Sequence, residues 1–362
     1  MRLSPTTEQQ ELKDAVRRFC REQITPERLA RWQAEPSGIG ASCWRAVAEL
    51  GWLGLGLPAA AGGSGLGLVE VACLVEECAR GLVPLCVSES VCAGLVLAAL
   101  DSANTHLPQI VSGAQTVALA FDEQNRRDAA VCRTELTEGA GGLRVRGEKW
   151  YVSGGVQADL HIVAARQGQE VALVLVSGEA ALASALRTFD GDRQAIVRYD
   201  DAPVLQRLSR PGQGAAMLVG VRRLLRALGL AEMIGCMDAA LEMTVAYVKE
   251  REQFGQKIAV FQAVQHQVAD MAMSLTAARH LAWQAITRLA AGSAEGWELD
   301  VAAAFVGQAC KRVTLAAHHL HGGAGYVVEH PRHYHAERAQ SLCIRHAPEA
   351  SALAAIAADL LD

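Results

Sequence analysis

The stretch "HHLHGGAGYVVEHPRHYH", His318 to His335, together with His346 holds seven of the chain's eleven histidines. Imidazole ligates metals, moves protons near neutral pH, and donates or accepts hydrogen bonds. A zinc site needs about four ligands converging from characteristic spacings. Here His318, His319 and His321 stand at the end of a helical period, while His330, His333 and His335 follow a proline-bearing turn. That pattern speaks against a metal. Gly322 and Gly323, inside the same stretch, lack a Cβ, so their backbone can approach a phosphate closely; the same pair also serves as a plain helix C-cap. A second stretch, "KEREQFGQKIAVFQ", sets Arg251 and Phe254 beside the Gly255 turn at a helix end. Taken alone, a charge and an aromatic there need no role beyond structure.

These groups must be carried by elements that the rest of the chain supplies. The chain has 362 residues, 51% of them hydrophobic and 20% charged, the composition of a folded globular protein with ample material for a core. A net charge of −5 gives no electrostatic footprint for nucleic acid. The ten cysteines are scattered without a C-x-x-C pair and no secretory leader precedes them, so reduced core thiols and a cytoplasmic location are expected. "LVLAAL" and "ALGLAEMIG" fall short of the ~20 apolar residues that span a bilayer, and no membrane span is expected.

From Thr6 to Trp32, apolar Leu12, Val16, Phe19, Cys20 and Ile24 recur at helical spacing behind a capping threonine. Further helical periods cover Cys43–Leu50 and "LVEVACLVEECARGL", on either side of the loop "GWLGLGLPAAAGGSGLG". From Thr116 the texture changes: "TVALAF", "LRVRGEKWYVSG", "DLHIVAAR", "EVALVLVS" and "AIVRYDD" predict strands spaced as in a β-meander. Helical period then returns over Ala215–Glu250, Val260–Ala291, Trp297–His321 and Ala350–Leu361. The chain therefore reads as mainly α with a middle β-domain: a helical domain at 1–115, a β-domain at 116–207 and a helical domain at 208–362.

In their order and separation, "REQFGQKIAVFQ" and "HGGAGYVVEHP" resemble the two C-terminal signatures of the acyl-CoA dehydrogenase family of flavoproteins. "LGWLGLGLPAAAGGSGLGL" resembles the family's Gly-rich loop, and "GEKWYVSGGVQADLHIVAA" its central strand pair. The resemblance implies an N-terminal helical domain, a β-barrel or sandwich and a C-terminal four-helix bundle. It also implies dimers or tetramers with FAD at subunit interfaces, an acyl-CoA substrate and an electron-transferring flavoprotein as acceptor. Position by position, it assigns Arg251 to the FAD diphosphate of a neighbouring subunit. Phe254 and Gln262 fall beside the same cofactor, and Gly322 and Gly323 at its adenylate half. His319 stands where the family carries a glutamine and can still donate a hydrogen bond. Tyr151 takes the place of an aromatic packed on the flavin, and Ser153 that of a hydroxyl near flavin N5. Arg226 matches an arginine supporting the active-site end of the bundle.

Two places depart from the pattern. The family's catalytic carboxylate takes the substrate α-proton while the β-hydride leaves to the flavin, and it lies about twenty residues past the Gly-Gly turn. Counting without gaps puts His346 there, between Arg345 and Ala347; the alternative carboxylate position, before Arg226, holds Leu225. In the first strand, the family's small-residue loop is replaced by the charged "LAFDEQNRRDAAV". Three readings follow: a subunit that completes a composite FAD site with a second acyl-CoA dehydrogenase-like chain; a homo-oligomeric dehydrogenase using His346 or Glu349 as base; or a flavin-free scaffold. "EHPRHYH" resembles a pattern in bacterial subunits, often paired with unlike chains, that act on steroid side-chain and other bulky acyl-CoAs.

Overall fold

The computed structural model describes residues 5–124, 132–139, 141–294, 296–323 and 332–361. The N-terminal helices are α1 (Thr7–Gln23), α2 (Pro26–Ala34), α3 (Ala41–Glu49), α4 (Leu68–Arg80), α5 (Leu85–Leu100) and α6 (Leu107–Val111). Seven strands follow: β1 (Val117–Ala120), β2 (Glu135–Gly139), β3 (Gly142–Ser153), β4 (Leu160–Gln167), β5 (Glu170–Ser177), β6 (Ala181–Ala185) and β7 (Gln194–Arg207). The remainder is α7 (Gly214–Glu250), the hairpin strands β8 (Glu252–Gln253) and β9 (Gln256–Lys257), α8 (Gln262–Ala290), α9 (Gly296–His321), α10 (Arg332–His346) and α11 (Glu349–Leu361). Contacts group them into two compact units, one of residues 1–29, 67–83 and 224–362, the other of residues 30–66 and 84–223.

In the first unit, Thr6 caps α1 as its type predicts. Its hydroxyl accepts from the Gln9 N–H and the Gln9 side chain accepts from the Thr6 N–H, a reciprocal capping box. The helical period expected to continue to Trp32 is cut at Pro26, which has no N–H to give and instead opens α2. Buried charge joins α1 to α4: Lys13 Nζ lies 3.0 Å from Glu76, and Arg17 grips Glu77 with two bonds of 2.7 and 2.8 Å. The helices α8, α10 and α11 pack on α9. Close approach to α7 rests on glycine, because a Cβ at Gly235 would sit 2.0 Å from the Glu76 carbonyl oxygen.

In the second unit the strands close on themselves. β4 pairs with β2, β2 with β3, β3 with β7, β7 with β5, and β5 back with β4; β1 adds in parallel to β4, and β6 to β7. The simple meander expected from the strand spacing is therefore corrected. A meander would leave long apolar edges unpaired, and the 12-residue β3 and 14-residue β7 pair with each other instead. Leu136, Val145, Val152, Val163, Val174, Val197 and Tyr199 fill the interior.

Polar groups are buried there as well, among them a histidine on β4. His161 is fully buried and its Nδ1 lies 3.0 Å from the Tyr199 hydroxyl. Burial pushes its pKa down from 6.5 to about 4. The folded chain thus keeps this ring neutral while the unfolded chain protonates it, so its stabilisation is whole above pH 6.5 and is lost as pH falls through about 4. The loss is about 3 kcal/mol. Urea titrations across that range are expected to show this slope, and His161→Phe to flatten it.

Candidate functional site

In the second unit, Tyr151 and Ser153 lie at the end of β3. The β3–β7 register slips between Lys149 and Val152, so Trp150 and Tyr151 form a bulge. Tyr151 takes φ +58° and stays 43% exposed. A bulge re-aims a side chain, and a non-glycine residue in the left-handed region stores local strain, both common beside functional sites. Two residues on, the Ser153 hydroxyl donates to Asp192 Oδ2 at 2.8 Å. Both line a cavity of about 360 Å³ with Trp44, Cys86, Glu89 and Arg193. Nothing in the sequence pointed to Asp192, which is 39 residues away.

The charged segment after β1 is partly an internal staple. Asp122 pairs with Arg222 at 2.7 Å, and Glu123 is buried against Lys149 at 2.9 Å. Burial alone would raise the Glu123 pKa, but the Lys149 ammonium and the N–H groups of Thr134 and Arg133 hold it down to about 2. The rest of that segment, 125–131, lies outside the described residues.

In the first unit, β8 and β9 form a two-residue hairpin whose tip is Phe254-Gly255, at φ +56° and +76°. Positive φ at both tip residues is the primed-turn geometry that matches strand twist, and asparagine is the usual first residue. Phe254 occupies it with its ring 92% exposed. Arg251, at the base of the hairpin, has its backbone tied by bonds from its N–H to Tyr247 and from Ile258 to its carbonyl, yet its side chain is exposed. Among the described residues it makes no ion pair. Gln262 is the exposed first residue of α8.

The same end of the unit carries the Gly-Gly turn. Tyr247 donates to the His321 carbonyl at 3.3 Å and stacks on its ring at 4.4 Å, joining the end of α7 to the end of α9. His319 Nδ1 lies 3.2 Å from Gln267 Oε1 on α8. With that acceptor Nδ1 carries the proton, so the neutral ring presents Nε2 as an acceptor, and only the protonated ring donates onward. Gly322 takes φ +55°, and a Cβ on it or on Gly323 would meet nothing within 4 Å. Residues 324–331, including His330, lie outside the described residues.

His346 and Arg226 are elsewhere. His346 is the last residue of α10, and its ring lies on Gly229 of α7 so closely that a Cβ there would sit 2.4 Å from Cγ. Arg226, one turn earlier on α7, bonds to Asp300. Arg226 and Arg251 are 25 residues apart along α7, about 37 Å at helical rise. One chain does not bring these two sets together. Glu349 accepts from Gln308 at 2.6 Å. Three other histidines of the stretch hold backbone: His318 and His321 contact the Thr314 and Ala317 carbonyls, and His335 the Arg80 carbonyl at 3.0 Å, while the His333 ring lies against that of Tyr334. Among the described residues no three His, Cys, Asp or Glu could hold a metal.

Comparison with known proteins decides the family. Residues 6–113 match the model of the acyl-CoA dehydrogenase N-terminal domain and residues 212–361 that of the C-terminal domain. The chain belongs to the acyl-CoA dehydrogenase family. Acyl-CoA dehydrogenases are oxidoreductases acting on CH–CH groups. This acyl-CoA dehydrogenase homologue is 29% identical to the benzylmalonyl-CoA dehydrogenase of Aromatoleum aromaticum, over 90% of each chain. It is 27% identical to the mitochondrial isovaleryl-CoA dehydrogenase of Solanum tuberosum, over 89% of this chain and 83% of that one. Among solved structures it superposes on the Tcur3481-Tcur3483 steroid ACAD with a TM-score of 0.90 and 29% identity, covering 98% of this chain and 97% of that one. The helical composition, with a middle β region and a C-terminal helical domain, is that of acyl-CoA dehydrogenase structures. All ten cysteines are free thiols, eight of them buried. No helix among the described residues is long and apolar enough to cross a membrane.

Proposed function

We propose that this chain is the subunit of a heteromeric, FAD-dependent acyl-CoA dehydrogenase that lacks the catalytic carboxylate and completes a composite cofactor site. The observation that carries the reading is the separation along α7. Arg251 and the Gly-Gly turn stand at one end of the helical unit, about 37 Å from the Arg226 and His346 group. A single chain therefore cannot use both sets on one cofactor. His346 is in keeping with this: at the position that the family resemblance gives to the base, the chain has an imidazole, packed on Gly229, in place of a carboxylate.

The residues fit the cofactor. Arg251 is an exposed cation able to meet a diphosphate, and Gly322 and Gly323 leave room for a backbone to approach an adenylate. Phe254 and Gln262 present exposed surface beside it, and His319 offers ring nitrogen. Tyr151 and Ser153 supply the aromatic face and the hydroxyl of this chain's own half-site. Bound FAD would supply the hydride acceptor, with an electron-transferring flavoprotein as its oxidant. The similarity to a steroid ACAD supports a bulky acyl-CoA substrate. The free thiols support a cytoplasmic setting.

The test is co-expression with the neighbouring reading frame. The purified complex is expected to carry flavin and to bleach with acyl-CoA, the lone chain to do neither, and His346→Ala to leave bleaching of the complex unchanged. Full flavin content and dehydrogenation by the lone chain would overturn the proposal, and loss of bleaching in His346→Ala would move the base to this chain.

A further inference from the structure

We infer that Asp192 is a positioning residue that commits the Ser153 hydroxyl proton, so that Ser153 meets flavin N5 with a lone pair and not with a proton. The inference rests on the placement of Ser153 beside the flavin, and adds the direction of its hydrogen bond.

A serine hydroxyl has one proton, and here it goes to Asp192 Oδ2 at 2.8 Å. An ionised carboxylate accepts only, so it cannot return the bond with roles exchanged. Asp192 is 5% exposed and is held from several sides. Its Oδ2 also accepts from Gln194 Nε2 at 3.0 Å, its carbonyl accepts from the Thr188 hydroxyl at 2.9 Å, and its N–H donates to Asp190 Oδ1 at 3.2 Å. The next residue locks the turn. Arg193 donates to the Gly191 carbonyl at 2.9 Å and, through Nη2, to the carbonyls of Trp32, Gln33 and Glu35 at 3.2, 2.7 and 3.0 Å. Its charge is spent on the end of α2, so the turn cannot swing away and release the serine.

The consequence is a bias between redox states. Oxidised N5 carries a lone pair and gains nothing from another one facing it; reduced N5 carries a hydrogen that Ser153 accepts. A fixed acceptor therefore favours the reduced flavin, whereas a freely turning hydroxyl would serve both states.

The experiment measures the flavin midpoint potential and visible spectrum of the assembled complex with wild-type chain, Asp192→Ala, Asp192→Asn, Ser153→Ala and the Asp192→Ala/Ser153→Ala pair. Asp192→Ala is expected to shift the oxidised-to-reduced ratio about tenfold toward oxidised, ~30 mV for two electrons. Asp192→Asn, which can keep an oxygen facing Ser153 and Gln194, is expected to stay within about twofold of wild type. In the Ser153→Ala background the Asp192→Ala shift is expected to vanish. A shift of equal size in that background, or a tenfold shift in Asp192→Asn, overturns the inference, because the carboxylate charge would then act directly. Asp192→Asn and Ser153→Ala still decide the matter should Asp192→Ala fail to fold. If Ser153→Ala changes neither spectrum nor potential, the serine is not at N5, and the placement of the residue fails along with the inference.

Discussion

Lys149→Met is expected to destabilise the protein by about 3–5 kcal/mol, read as a drop in the urea midpoint with little change in slope. Lys149 has no exposed surface and its ammonium lies 2.9 Å from Glu123, itself buried. The same carboxylate accepts from the Thr134 hydroxyl and N–H, both at 2.9 Å, and from the Arg133 N–H at 3.0 Å. Methionine keeps the length of the side chain and removes its charge, which strands an anion in the interior of the strand layer. The penalty comes from the abandoned partner more than from the lost pair, so Glu123→Gln in the same chain is expected to restore much of the stability. An equal loss in the double variant would mean that packing, not charge, is at stake. The pH dependence has its own sign. Since the folded carboxyl is held down to about 2 from 4.5, the stabilisation is present above pH 4.5 and is lost as pH falls through about 2.

Arg251→Ala is expected to lower flavin retention by the assembled complex about 10- to 100-fold, the worth of one charge-assisted bond. Folding should be untouched, because the side chain is exposed and only its backbone is tied into α7 and the hairpin. Arg251→Lys keeps the charge but not the planar fork, and should fall between the two. Flavin absorbance per chain after dialysis reads the result; wild-type retention in Arg251→Ala would remove this residue from the cofactor site. The hairpin argues for a contact at this surface. Phe254 adopts a backbone that favours glycine or asparagine and exposes 92% of its area, its ring meeting that of Phe261 edge to face within the chain.

Much of this was legible in the sequence. Thr6 capping α1, the apolar stripes of α8 and α9 and the valine-rich runs of β4 and β5 are local signals, written within windows shorter than the elements themselves. So were the glycine and arginine motifs that tie the chain to its family. Local signals failed where an element carries no period. α5 is apolar all round and α10 is rich in histidine and arginine, and neither shows one clean stripe; "ALASA" became β6 only because β7 offered it an edge.

What the chain alone determined is the order of its elements, their capping and turning residues, and the set of side chains available for chemistry. What only the tertiary structure decided is which of those side chains meet. Glu123 finds Lys149 across 26 residues, Ser153 finds Asp192 across 39, and His346 comes to rest on Gly229, while the rise of α7 keeps Arg251 far from Arg226. Periodicity records which face of an element is apolar but not which element that face will meet. Partner choice therefore falls to strand closure, helix length and the few glycines that let backbones touch.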